Sequence, residues 1–309
     1  MPLTQLNFQP GLDTENTPTG AEGRWVDGDK IRFRKGLPQK IGGWTKFSTG
    51  YYIGVGRALE QWFSLDGGRY EAIGTDRKIY TYASGISQDI TPIRSTDALV
   101  NAISTTTSSN IITITDAGHG ASQGDFVTLS NVSATVGGLT ASVLDAEYEI
   151  LTISNTNAYT VQSSGTANAN VAPTANCTAN YQIGIGPSIQ TFGFGWGSGT
   201  WNTGTWGTAR SSSNVVLDAR LWSINNWGED LIITQKDGST YEWNLSGGMT
   251  NNRCTVVANA PTNSTLSMIS TETRHVVCLG TETAIGNTAS VDKMFIRWSD
   301  QENYNQWTP

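Results

Sequence analysis

The feature that most constrains this chain is a pattern of strands that it repeats. Residues 60–83 read EQWFSLDGGRYEAIGTDRKIYTYA: an aromatic strand, an Asp-Gly-Gly turn, a second strand, a Thr-Asp-Arg turn and an aromatic ending. Residues 221–244, LWSINNWGEDLIITQKDGSTYEWN, keep the same order around a Lys-Asp-Gly hairpin. A third version runs from RHVVCLGT (Arg274–Thr281) through a polar loop to DKMFIRWSD (Asp292–Asp300). Asp-Gly between alternating apolar runs signals a tight hairpin. One short antiparallel unit cannot bury its own apolar face, so a chain that repeats it must stack the copies as propeller blades do. Composition agrees: 34 Gly, 11 Trp and 10 Tyr, with 15% charged residues, favour strands and turns over helices. The expected fold is all-β with a β-propeller-like body.

Between the first two copies the style changes. From Ser95 to Tyr181 tryptophan disappears and Thr, Ser, Ala, Asn and Val take over. NIITITDAGHGASQGDFVTLSN and AEYEILTISNTNAYTVQSS alternate by themselves, each around a polar turn. This stretch is expected to form a small antiparallel β-barrel or sandwich inserted in a loop of the body, where a long insertion costs little closure entropy. The expected division is therefore 1–94, an N-terminal arm and the first part of the body; 95–181, the inserted barrel; and 182–309, the rest of the body.

Trp196, Trp201 and Trp206 stand at steps of five in GWGSGTWNTGTWG (Gly195–Gly207). Five is the period of neither a helix nor a strand, so these indoles share no face of a regular element. Two uses remain. The rings are packing anchors between sheets or subunits, set in a backbone that glycine lets turn at positive φ, or they are platforms for sugar rings. For the second use, TQKDGSTYEW is similar to the Asp-box hairpin of sialidase propellers, but Asp237 and Gly238 are adjacent where that motif has a residue between them.

The formal charge of −7 argues against a general nucleic-acid clamp, which needs cations to displace counterions. An acidic surface also lets DNA slide past without sticking. Against this background Lys30, Arg32, Arg34, Lys35 and Lys40 put five cations within eleven residues, and Ile31 and Phe33 alternate with them as on a half-exposed strand. That strand is either a solvated face or a contact for an acidic partner protein or for DNA.

Candidates for chemistry are few. Cys177, Cys254 and Cys278 stand apart, with no CxxC, and read as buried free thiols. His119 lies in a Gly-His-Gly turn and His275 opens an apolar strand, so both read as structural. No GxSxG occurs, GFGWGSG lacks the spacing of a phosphate cradle, and no two carboxylates are paired. Neither an enzyme, a cofactor nor a metal site is expected. No run approaches 18 apolar residues and the N-terminal residues carry no apolar signal core, so neither a membrane span nor a signal peptide is expected.

Five blocks, in order, carry a resemblance: GLDTENTPTGAEGRWVDGDKIRFRKGLPQKIGGW, YEAIGTDRKIY, GFGWGSGTWNTGTWGT, LWSINNWGEDLI and IRWSDQENYNQWTP. The chain resembles the tail nozzle proteins of short-tailed bacteriophages, also called packaged-DNA stabilisation or tail tubular proteins, over most of 8–94 and 182–309. The stretch DAGHGASQGDFVTLSN…AEYEI…NAYTV is similar to a small β-barrel module of many phage tail proteins. The resemblance implies a structural virion protein with a propeller-bearing body. Six copies would form a ring below the portal and its adaptor, meet tail fibre, spike or plug proteins, and line the distal channel. Through that channel double-stranded genomic DNA is retained and ejected without being read. It implies a place in the virion tail after assembly in the host cytoplasm. On this reading Lys30, Arg32, Arg34, Lys35 and Lys40 would contact the adaptor, and Trp196, Trp201 and Trp206 would be packing anchors. The rival reading is a glycan-binding tail adhesin on a propeller. Relatives of the nozzle type continue past the RWSDQE block, and three or four blade-like units are few for a closed propeller.

Overall fold

Alternation in the sequence becomes alternation in burial. The computed structural model describes residues 8–43, 45, 50–184, 186 and 221–307. Of the described residues 46% are strand and 4% helical, which makes the chain all-β. It divides into two compact units, Met1–Phe47 and Ser48–Pro309.

In the first unit β1 (Gln9–Leu12) pairs in parallel with β2 (Arg24–Trp25), and β3 (Ile31–Arg34) forms an antiparallel hairpin with β4 (Leu37–Lys40). The hairpin turns on Lys35 and Gly36, both at positive φ (52° and 80°). This is the mirror-image turn that suits twisted strands, and it places glycine where a side chain would be strained. The Trp25 ring lies 5.4 Å from Phe8 and 6.5 Å from Phe33, giving the unit a small aromatic centre.

The second unit carries the repeated pattern as three sheets. The first is β5 (Gly56–Phe63), β6 (Arg69–Thr75), β7 (Ile79–Ala83) and β8 (Ile86–Asp89), paired in that order. Eight strands then form one sheet: β9 (Ile93–Leu99), β10 (Ile103–Thr105), β11 (Ile111–Thr115), β12 (Phe126–Ser130), β13 (Glu147–Asn155), β14 (Ala158–Gln162), β15 (Val171–Thr174) and β16 (Cys177–Gln182). A single helical turn, α1 (Ala141–Leu144), precedes β13. The second blade sheet is β17 (Trp222–Trp227), β18 (Asp230–Gln235), β19 (Thr240–Trp243) and β20 (Thr255–Val256). The third has three strands, β21 (Leu266–Ile269), β22 (Val276–Leu279) and β23 (Ile296–Trp298).

The three blade sheets stack face against face in chain order. Trp62 and Ala72 of the first meet Trp222, Leu231, Ile233 and Trp243 of the second in one buried cluster. The opposite face of the second sheet, with Trp227 and Ile232, meets Val276 and Cys278 of the third together with Trp307. The middle sheet is thus covered on both sides. On β18 Leu231 and Ile233 serve one core and Ile232 the other, and all three are fully buried. The first two sheets approach closely at Gly74, where a Cβ would stand 2.6 Å from Cδ1 of Trp222. The same indole donates its Nε1–H to the Thr75 carbonyl at 2.7 Å.

The eight-stranded sheet runs β15-β10-β11-β14-β13-β12-β16-β9. Register shifts along β13 bend it, so that both halves wrap one core containing Ile112, Ile114, Leu129, Ile150, Tyr159 and Tyr181. The expected barrel does not close: among the described residues no ladder joins β9 to β15. At that seam the chain turns corners at Asn101 and Ala175, both at positive φ, and the Ala102 N–H donates to the Ala175 carbonyl at 2.9 Å.

Candidate functional site

The basic stretch read from the sequence is the β3–β4 hairpin. Arg32 and Arg34 are exposed, and the alternation of a strand sets them on the face opposite Ile31 and Phe33. Register places Arg32 across from Gln39, whose Oε1 accepts from the Arg32 Nε at 3.1 Å, and Arg34 across from Leu37. Lys40 pairs with Ile31, and so lies on the other face, while Lys35 occupies the turn. Lys30 precedes the strand, 3.6 Å from the Asp29 carboxylate. The five cations therefore form a pair of arginines on one face, with three lysines around it. All five are exposed, which is the geometry of a surface contact and not of a pocket. Trp196, Trp201 and Trp206 lie outside the described residues.

Groups that could do chemistry are engaged by the fold. His119 accepts the Ala121 N–H at Nδ1 and faces the Asn155 carbonyl with Nε2, each at 3.1 Å, so its proton sits on Nε2. His275 donates from Nδ1 to the Ser299 carbonyl at 2.8 Å. The Ser299 hydroxyl accepts the Val276 N–H and donates to the Asp300 carbonyl, leaving no serine–histidine couple there. All three thiols are buried. Burial pushes Cys177 up to about 11 and raises Cys254 and Cys278 as well, so none is a ready thiolate at neutral pH. Among the described residues no group of three or more His, Cys, Asp and Glu side chains could hold a metal ion. No helix among them is long and apolar enough to cross a membrane.

No family model and no curated protein matches this chain. Among solved structures it is similar to the phage phi92 endosialidase at 13% identity and a TM-score of 0.25, over 88% of this chain. It spans only 39% of that protein's chain. A score that low does not define a common fold.

The structure also gathers charges that lie far apart in the sequence. Lys78, which is 1% exposed, donates to Asp89 at 2.9 Å and to Glu147, with Nζ 4.3 Å from the centre of the Phe126 ring. Arg77 pairs with Glu149, donates to the Gly124 carbonyl at 3.2 Å and also lies over the Phe126 ring, at 5.5 Å. Arg253 reaches Asp89 at 3.4 Å and Glu147 at 3.6 Å, and Gln182 donates to Glu147 at 2.6 Å. Burial alone would raise the Asp89 carboxyl, but Lys78, Arg253 and the Thr91 and Lys78 hydrogen bonds outweigh it and hold it below the usual carboxylate range. The cations come from the blade sheets, while Glu147 and Glu149 come from β13. This cluster joins the eight-stranded sheet to the blades, and its groups neutralise one another. Sequence reasoning missed it, because a lysine before IYTY and an arginine before CTVV carry no local sign of such distant partners.

Proposed function

We propose that this chain is a structural subunit of a bacteriophage tail nozzle, one of six in a ring below the portal and its adaptor. The observation that carries the reading is the ordered series of sequence blocks from GLDTENTPTG to IRWSDQENYN. The geometry is compatible with it in three respects. Blade sheets stacked in chain order give a stiff wall, and indoles pin that wall together. The indole N–H groups of Trp62, Trp222, Trp243 and Trp307 all donate to backbone carbonyls. The exposed Arg32 and Arg34 offer a compact cationic face for the adaptor, and the net charge of −7 suits a channel through which DNA slides. In this role the protein performs no reaction and holds no cofactor. It docks to the adaptor, meets fibre, spike or plug proteins, and works in the virion tail after assembly in the host cytoplasm. The three tryptophans of the ribbon serve as packing anchors, at least one of them across a blade or subunit boundary.

The test is co-sedimentation of the purified chain with adaptor rings, followed by electron microscopy of the complex. Six-fold rings on the adaptor are expected. Failure to bind the adaptor at low salt would count against the reading, as would turnover of a host polysaccharide.

A further inference from the structure

The third blade sheet is one strand short of the other two. In the first two sheets a fourth strand, β8 or β20, pairs antiparallel with the third. In the third sheet the order stops at β23, and among the described residues no strand lies beyond it. The Ser299 N–H donates to the Val276 carbonyl and the Gly280 N–H to the Phe295 carbonyl, each at 2.9 Å. Antiparallel bonding alternates along a strand, so Phe295, Arg297 and Ser299 turn their backbone groups to β22. Ile296 and Trp298 turn theirs to the open edge, where neither N–H nor carbonyl finds a partner among the described residues.

A groove of about 420 Å³ runs along that edge, with Phe295, Arg297, Trp298, Gln306 and Trp307 in its walls. Arg297 gives Nη2 to the Thr283 carbonyl at 3.0 Å and lies 5.3 Å from the centre of the Phe295 ring. Its Nε is enclosed and has no partner. A charge that only guards an edge against pairing would keep its donors in water. Ile296 and Trp298 point to the opposite side of the strand and are 52% and 55% exposed.

We propose that the edge of β23 receives an extended segment of another protein as the fourth strand of this blade. The spacing of the free backbone groups selects a strand, which meets two N–H and two carbonyl groups at once. Register then dictates its side chains. The residues opposite Ile296 and Trp298 share their apolar side and are themselves apolar. The residue between them stands opposite Arg297 in a closely spaced pair, and is a carboxylate that meets the guanidinium. The second sheet already has a cross-strand bond at this junction: the Thr255 hydroxyl of β20 donates to the Glu242 carboxylate of β19 at 3.4 Å. The partner segment therefore reads apolar, acidic, apolar. The site does not rest on the nozzle reading, because it follows from the edge and its groove alone.

The probe is a synthetic peptide, Thr-Thr-Val-Glu-Val-Thr-Thr, titrated into the full chain by calorimetry. It should bind with a dissociation constant below about 1 mM, and amide hydrogen exchange should slow at Ile296 and Trp298. Methylating the amide nitrogen of its first valine removes one backbone donor and should weaken binding about tenfold. Replacing its glutamate by lysine should weaken binding to the wild-type chain by a similar factor and restore binding to Arg297→Glu. The methylated peptide needs no protein variant, so the backbone claim is tested even if Arg297→Glu does not fold. No binding up to about 1 mM would overturn the proposal. Equal binding of the methylated or the lysine peptide to the wild-type chain would do the same, as would binding without protection at Ile296 and Trp298. A dimer of the chain that the peptide fails to dissociate would also overturn it, by giving the edge to a second copy.

Discussion

The contact between Gly74 and Trp222 shows how single residues hold the blades together. The indole occupies the space a side chain at 74 would take, so Gly74→Ala must push Trp222 away and is expected to cost about 1–3 kcal/mol. Trp222→Ala removes a buried ring and its hydrogen bond and should cost about 3–5 kcal/mol. Urea unfolding measures both, and a Trp222→Ala variant of wild-type stability would refute the contact. The charge cluster makes a second prediction. Asp89 has a lowered folded pKa, so its stabilising contribution is complete above the unfolded value of about 3.9 and is lost as pH falls through the lower folded value. Lys78→Met leaves two half-buried carboxylates short of a buried cation and should cost about 3 kcal/mol at neutral pH. Asp89→Asn should flatten the loss of stability below pH 4, and an unchanged acid profile would show that the carboxylate is not held by the cluster. The thiols make a third: no reaction with a thiol reagent in the native protein, and three equivalents once it is unfolded. The sequence showed that each copy carries aromatic side chains at its strand ends. It could not show their partners, since Trp222 and Gly74 belong to different sheets separated by the whole eight-stranded insertion.

At the scale of elements, hairpins were legible where one face is buried and the other wet. The alternation of Ile31 and Phe33 with Arg32 and Arg34 appears in the structure as half-buried and exposed positions. Because both arginines are exposed, Arg32→Glu with Arg34→Glu should leave stability within about 0.5 kcal/mol of wild type. Docking to the adaptor should weaken, most strongly at low salt, where exposed charges are least screened. Unchanged docking would remove the hairpin from the interface. Where a sheet is buried on both sides alternation vanishes, and DLIITQ on β18 gives a strand without a visible face. The third copy has a further strand, Leu266–Ile269, ahead of the stretch that reads as blade-like, because LSMI is too short to carry a period of its own. The corners that turn the chain at Asn101 and Ala175, both at positive φ, leave no mark in the strand pattern of the insertion.

For the whole molecule, composition and recurrence point to an all-β chain, and the structure has that class with its blade sheets in sequence order. The central claim is that this chain works as a repeated structural part of a tail and not as an enzyme or a glycan-binding adhesin. Electron microscopy of the chain incubated with adaptor rings tests that claim most directly. The account predicts a ring of six copies stacked on the adaptor, and it would be contradicted by adaptor rings left bare while the chain binds glycans through exposed indoles.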